Sequence, residues 1–301
     1  MRANRLGATA GLRWIGEAFR IFRVAPLRQL ACGLVFLFAV MLALQAASVD
    51  ETWPGETVDQ WRGYKRHQFT VDGCAAWVVE PKQAAAGKPW TWCLEFPDAF
   101  TDRTGVLQLL DQGFHHVHVV VGNTFGSPSA LQHFDAFYEA LQKGGLAKKG
   151  ALIGISRGGL YAYNWAARHP EAVSCIYGDA PVCDFKSWPG GKGKGKGSAG
   201  DWASLQKHYG FKDEADALAW KKNPVDELEP LAAAKIPLLH VVGDADDVVP
   251  VAENTALIEA KYTALGGKIT VIHKPGVGHH PHGADDIKPL VEFIVEASRA
   301  K

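Results

Sequence analysis

Three short stretches of this chain carry side chains able to make and break a bond at a carbonyl carbon. The first is Gly154-Ile155-Ser156-Arg157-Gly158. An apolar run, Ala151 to Ile155, stops at a serine flanked by glycines, and Leu160 to Arg168 then reads as a helix stopped by Pro170. A serine held at a tight strand-to-helix turn needs neighbours without bulky side chains, so that the backbone folds sharply and the hydroxyl stands clear. The second stretch is Gly243-Asp244-Ala245-Asp246-Asp247-Val248-Val249-Pro250, and the third is Gly276-Val277-Gly278-His279-His280-Pro281-His282. A serine hydroxyl is a poor nucleophile until a histidine takes its proton, and that histidine needs a carboxylate to fix its tautomer and balance its charge. Each stretch alone is ordinary, since glycine–serine turns, acidic turns and histidine clusters are all common. Their order, serine then acid then histidine with each behind an apolar run, is what a nucleophilic relay requires.

The elements that must position these groups follow from the hydrophobic pattern. His67 to Pro81 reads as two strands around Asp72-Gly73, a favoured hairpin turn, and residues 49–66, polar with Trp53, Trp61 and Tyr64, read as surface chain. Further strands are expected at Trp90–Phe96, Gly113–Val121, Ala151–Ile155, Val173–Gly178, Ile236–Val242 and Ile269–His273. Helices are expected near Gly105–Asp111, Ser127–Gln142, Leu160–Arg168, Ala252–Leu265 and Asp286–Ser298. Strands alternating with helices predict an α/β fold, a mostly parallel central sheet with helices on both faces. In such a sheet functional groups gather beyond the C-terminal ends of the strands, where all three stretches fall. The beat breaks only between residues 180 and 234, a lid-like insertion holding the low-complexity run Gly190 to Gly197.

With these motifs in place, residues 67–300 resemble the α/β-hydrolase superfamily. Gly-x-x-Asp-x-x-x-Pro in the second stretch is similar to the family's acid loop and selects Asp246 over Asp244 and Asp247. Gly-x-Gly-His in the third selects His279 over His280 and His282. The strings around Ser156, Asp179–Gly191 and Gly278–His282 resemble a bacterial subgroup of exported serine hydrolases of the esterase type. The resemblance implies Ser156 as nucleophile, His279 as base and Asp246 as its partner. It also implies an oxyanion hole from the Arg157 amide and from Phe96 or Asp98, because Pro97 lacks an N–H. The His-Gly-Gly-Gly loop of lipases is absent, a departure from that pattern. Asp179 is an outside candidate for the acid and, with Trp188, a candidate substrate contact; Arg157 is expected to meet a substrate carboxylate or to pair with Asp179 or Asp184.

Composition limits the alternatives. Lys plus Arg and Asp plus Glu are both 32, so net charge is zero and no nucleic-acid partner is expected. Residues 1–28 carry six arginines against one acid, and an apolar run from Leu30 to Leu44 ends at Ala46-Ala47-Ser48. That is the form of a signal sequence over 1–48, leaving a domain from 49 to 301 that is periplasmic or secreted and has no stable membrane association. Export permits disulfides, and sequence proximity suggests Cys74–Cys93 and Cys175–Cys183, with four buried free thiols as the alternative. No cofactor is expected. His115, His116 and His118, and the cluster His279, His280 and His282, invite a metal reading, but no carboxylate or cysteine lies at ligand spacing near the latter. Lys192, Lys194 and Lys196 either attract an anionic substrate or form a solvated loop. The expectation is an exported serine hydrolase acting on a small-molecule or carbohydrate ester, with a prolyl-oligopeptidase-like peptidase or a non-catalytic carbohydrate-binding relic as the alternatives.

Overall fold

Short β-rich runs separated by amphipathic segments assemble into a single mixed sheet. The computed structural model describes residues 53–299; the expected leader, residues 1–48, lies outside the described residues. In chain order the first elements are β1 (Thr57–Trp61), β2 (Tyr64–Val71), β3 (Cys74–Val79), β4 (Trp90–Cys93), α1 (Val106–Asp111), β5 (His115–Val119) and α2 (Pro128–Lys143). They are followed by β6 (Gly150–Ile155), α3 (Gly158–Arg168), β7 (Val173–Asp179), α4 (Ala199–Tyr209), α5 (Glu214–Ala219) and α6 (Glu229–Ala233). The chain continues with β8 (Leu238–Gly243), α7 (Thr255–Ala264), β9 (Ile269–Lys274) and α8 (Lys288–Arg299). Strand order is β1-β2-β3-β5-β4-β6-β7-β8-β9. The first three strands and β5 pair antiparallel, and β4 through β9 run parallel. The expected fold class is therefore the observed one.

Two departures have clear causes. Residues 57–61 form an edge strand, not surface chain. Its outer positions are polar apart from Val58, and Trp61 and Tyr64 turn inward at the Arg62-Gly63 corner to be buried. Polar outward residues are what an edge strand needs to avoid pairing with another molecule, so composition hid it. The two proposed disulfides do not form, and Cys74, Cys93, Cys175 and Cys183 are all free. Cys93 and Cys175 belong to the core on one face of the sheet, whereas Cys183 and Cys74 pack with the core on the other. Neighbours in sequence are thus separated by the sheet itself. Burial pushes the Cys175 thiol up to about 12.

Each face of the sheet has its own core. One face packs Trp92, Leu152 and Ile176 against Phe134 and Phe137 of α2 and Trp165 of α3. The other packs Ile153, Tyr177 and Val241 against Leu109 and Leu110 of α1 and Leu290 and Ile294 of α8. β6 is buried at every position, as expected of a central parallel strand. The β5 histidines belong to this packing. His116 and His118 lie against Trp77, Thr91 Oγ1 sits 2.8 Å from His116 Nδ1, and His118 Nδ1 donates to the Cys93 carbonyl at 2.7 Å. Burial, with His118 beside it, pushes His116 down to about 3, so it is neutral and apolar in effect.

Trp92 is the centre of the first core, with the rings of Phe134, Phe137 and Trp165 edge-on at 4.9, 5.2 and 5.1 Å. Trp92→Ala should cost about 3–5 kcal/mol in urea unfolding, because the stiff rings packed around it relax only partly into the cavity.

Candidate active site

The turn between β6 and α3 holds Ser156 with φ of 51°, in the left-handed region that a serine adopts only when its surroundings enforce it. The surroundings are backbone. Ser156 N–H donates to the Asp179 carbonyl at 2.8 Å, and the Ser156 carbonyl accepts from Val182 N–H at 2.9 Å. Gly159, on the first turn of α3, lies so close to the β7 exit that an added Cβ would stand 2.6 Å from the Val182 carbonyl oxygen and 2.7 Å from Pro181 Cβ. The strained serine is therefore clamped between β6 and the chain leaving β7.

The acid and histidine loops approach each other in the same way. A Cβ on Gly243, the last residue of β8, would collide with the carbonyls of Val277 and Gly278. With no side chain there, Ala245 N–H reaches the Val277 carbonyl at 2.9 Å. Asp246 and His279 meet as a result. His279 Nε2 lies 2.9 Å from Ser156 Oγ, and His279 Nδ1 lies 2.7 Å from Asp246 Oδ2. The other Asp246 oxygen accepts from the Val248 and Val249 amides at 2.9 and 2.8 Å. Burial alone would raise the Asp246 carboxyl, but the His279 bond and the two amides outweigh it and hold the group below the usual aspartate range. Asp244 pairs instead with His273, and Asp247 with Lys196. Among the described residues His280 makes no hydrogen bond to Ser156 and stacks on Phe100, and His282 turns away to Asp179.

A carbonyl oxygen attacked by Ser156 needs two donors. Phe96 follows β4 with φ of 58°, and Glu95 lies against the start of α3, with its Cβ 3.2 Å from where a Gly158 Cβ would stand. Among the described residues neither the Phe96 amide nor the Arg157 amide donates to another backbone carbonyl. The Asp98 amide is equally unengaged, but its residue is drawn toward β1, its side chain accepting from Trp61 and its carbonyl from Arg62.

The Arg157 side chain pairs with neither Asp179 nor Asp184. It bonds Glu95 at 3.0 Å, reaches Asp201 of α4 at 4.0 Å, and lies 4.9 Å from the Phe96 ring centroid. Glu95 is the residue that sequence reasoning missed. Burial raises its carboxyl despite Arg157, and the signal was present: one acid ending the apolar strand run Trp90–Leu94. Asp179, expected as a substrate contact or spare acid, is a correction. It is fully buried, and its carboxylate is used up by His282 Nδ1, Gly283 N–H and the Tyr177 hydroxyl. Trp188 is half-buried, 6.3 Å from the Phe125 ring, which itself lies 5.9 Å from Arg157. It borders the site through Phe125 and not directly.

The lysine loop proves to be a brace. Lys192 pairs with Glu214 and Lys196 with Asp247, both at 2.6 Å, while Lys194 N–H donates to Glu253. Gly193 and Gly195 lie directly on Glu253 and Pro250, leaving no room for side chains. The run that looked like low complexity lines the back of the Asp246 loop, with Lys196 paired there and Lys192 paired at α5.

The sequence pattern of the prolyl oligopeptidase family matches residues 130–300, more than half of the chain. No curated protein matches in sequence. Among solved structures, the chain is similar to EstE5, soaked with p-nitrophenyl butyrate, with TM-score 0.56 and 18% identity over 88% of this chain and 92% of that one. It is similar to Est1E from Butyrivibrio proteoclasticus, with TM-score 0.52 and 16% identity over 81% and 98%. It is also similar to Porphyromonas gingivalis dipeptidyl peptidase 4, with TM-score 0.57 and 14% identity over 81% of this chain and 36% of that one. At these identities the likeness is one of fold, and the fold shared is that of the α/β-hydrolases.

Two outcomes follow from the geometry. Gly159→Ala should destabilise the protein by about 1–3 kcal/mol in urea unfolding, since two backbones must separate to admit one methyl group. Asp246 has a lowered carboxyl, so its contribution to stability is fully present above the unfolded-state value and is lost as pH falls through the folded one. The stability gap between wild type and Asp246→Asn should therefore narrow as pH is lowered from about 6 to about 3, followed by urea unfolding at each pH.

Proposed function

The chain belongs to the prolyl oligopeptidase family of serine hydrolases, and we propose that it cleaves a carboxylic ester through an acyl-enzyme on Ser156. The observation that carries this reading is the hydrogen-bonded line from Ser156 Oγ through His279 to Asp246, ending in a carboxylate that is itself held by two amides.

Ser156 Oγ attacks the carbonyl carbon as His279 Nε2 takes its proton. The imidazolium formed is balanced by Asp246, which keeps its negative charge. The amides of Phe96 and Arg157 receive the developing oxyanion. Collapse of the tetrahedral adduct breaks the carbon–oxygen bond, and His279 returns the proton to the departing alcohol. Water then repeats the sequence on the acyl-enzyme and frees the acid and Ser156.

Two features support an ester as substrate. The match spans 92% of EstE5 and 98% of Est1E, both esterase-fold chains of similar length. Around Arg157, next to Ser156, the Glu95 and Asp201 carboxylates stand with the Phe96 and Phe125 rings, a mix of polar groups and aromatic faces that suits a hydroxylated alcohol such as a sugar. The chain connecting β7 to β8, which supplies Asp201, acts in this reading as a lid over the site. The basic then apolar start of the sequence supports export. Family membership itself favours a second reading, a peptidase that acylates the same serine with an amide substrate.

Turnover of p-nitrophenyl acetate and butyrate decides between them when set beside dipeptide p-nitroanilides. Ester hydrolysis is expected, with Ser156→Ala reducing it by about 10³-fold or more. Anilide cleavage without ester cleavage reverses the ranking, and undiminished ester turnover in Ser156→Ala removes Ser156 as the nucleophile.

A further inference from the structure

The loop after β9 supplies more histidines than a proton relay uses. His279, His280 and His282 each place a ring nitrogen within 4.8 Å of the others. Their rings meet edge to face in pairs, with centroids 5.0, 4.8 and 4.8 Å apart. Two of the three are already oriented by a buried carboxylate. Asp246 holds Nδ1 of His279 and Asp179 holds Nδ1 of His282, each at 2.7 Å. A carboxylate on Nδ1 fixes the N–H on that side and leaves Nε2 with its lone pair outward, the arrangement in which histidines ligate metals. His280 is exposed and makes no hydrogen bond among the described residues; its ring stacks on Phe100 at 6.1 Å, so its nitrogens are uncommitted beside the other two rings. The sequence argued against a metal because no carboxylate or cysteine lies at a ligand spacing from these histidines in the chain. The fold brings two, from β7 and from the loop after β8, as partners of the ligands and not as ligands themselves.

We propose that His279, His280 and His282 form an inhibitory site for a divalent transition cation of the zinc type. Imidazole nitrogens favour Zn²⁺, Ni²⁺ or Cu²⁺ over Mg²⁺ or Ca²⁺. With Zn–N bonds of about 2.0–2.1 Å, nitrogens in a tetrahedral site stand about 3.4 Å apart, so the nitrogens approach by up to about 1.4 Å from their present 4.8 Å on binding. Water fills the fourth position. The cation takes the lone pair of His279 Nε2, the same pair that faces Ser156 Oγ at 2.9 Å. One lone pair cannot hold a cation and accept a proton, so cation binding and acylation exclude each other, and removing the cation restores the base. The inhibitory consequence rests on the proposed role of His279; the site itself rests only on the three rings and their two carboxylates.

The test pairs two measurements on the full chain. Calorimetric titration of ZnCl₂ into the Ser156→Ala protein reads binding without catalysis, and ester turnover by wild type with ZnCl₂ and then EDTA reads the consequence. One Zn²⁺ per chain is expected, with affinity lowered about tenfold or more by His280→Gln. His280 is exposed, and circular dichroism checks that the variant keeps its fold. Wild-type turnover should fall as the site fills and return with EDTA. No binding at about 1 mM ZnCl₂ overturns the site. So does binding that His280→Gln leaves unchanged. Binding without loss of turnover overturns the inhibitory role. His280-dependent binding in a protein that turns over no ester supports the site and counts against the proposed ester hydrolysis instead.

Discussion

Close approach of backbone to backbone, at points where no side chain intervenes, is the constraint on which the rest of this structure depends. Ser156 is held in a left-handed conformation because α3 lies against the chain leaving β7, and Gly159 is what permits that distance. Asp246 and His279 meet because the loops after β8 and β9 touch through Gly243. The relay is thus assembled by main chain first, and the three side chains only complete it. That order makes physical sense: a hydrogen bond at 2.7 Å between two loops is kept only if the loops cannot drift, and packed backbone drifts less than solvated side chains do.

The same logic explains two features that stand outside the relay. Asp179 is a buried carboxylate satisfied by three donors, two of them on the histidine loop. A buried charge with one partner is costly, whereas one with several fixes a geometry, and here it ties the loop after β9 to the end of β7. The glycine–lysine run does the equivalent for the acid loop. Its glycines let it lie flat on Glu253 and Pro250, and Lys196 pairs with Asp247, next to Asp246. The long β7–β8 connection therefore bears on the site twice, through this brace and through the contact of Asp201 with Arg157.

The sequence made the alternating architecture legible, because parallel strands buried on both faces read as apolar runs and their helices as amphipathic ones. Ser156, Asp246 and His279 were legible for a different reason: each sits in a loop whose glycines mark a sharp turn after a strand. What escaped was whatever depends on the third dimension. Trp61 and Tyr64 read as surface because β1 is an edge strand whose outer positions are mostly polar. The cysteines were paired by proximity although the sheet stands between them. Asp179 looked like a site residue because it ends a strand, and only its three donors show that it faces inward. Glu95 was passed over although one acid ending an apolar run is a signal, because that signal does not name its partner 62 residues away.

The central claim is that Ser156 is a nucleophile activated by His279. Covalent labelling by a fluorophosphonate probe, read by intact mass and peptide mapping, tests it without assuming any substrate. A single adduct on the peptide containing Ser156, absent from Ser156→Ala and strongly slowed in His279→Ala, is the predicted result. Failure to label Ser156 in folded protein, or labelling that proceeds equally fast without His279, contradicts it.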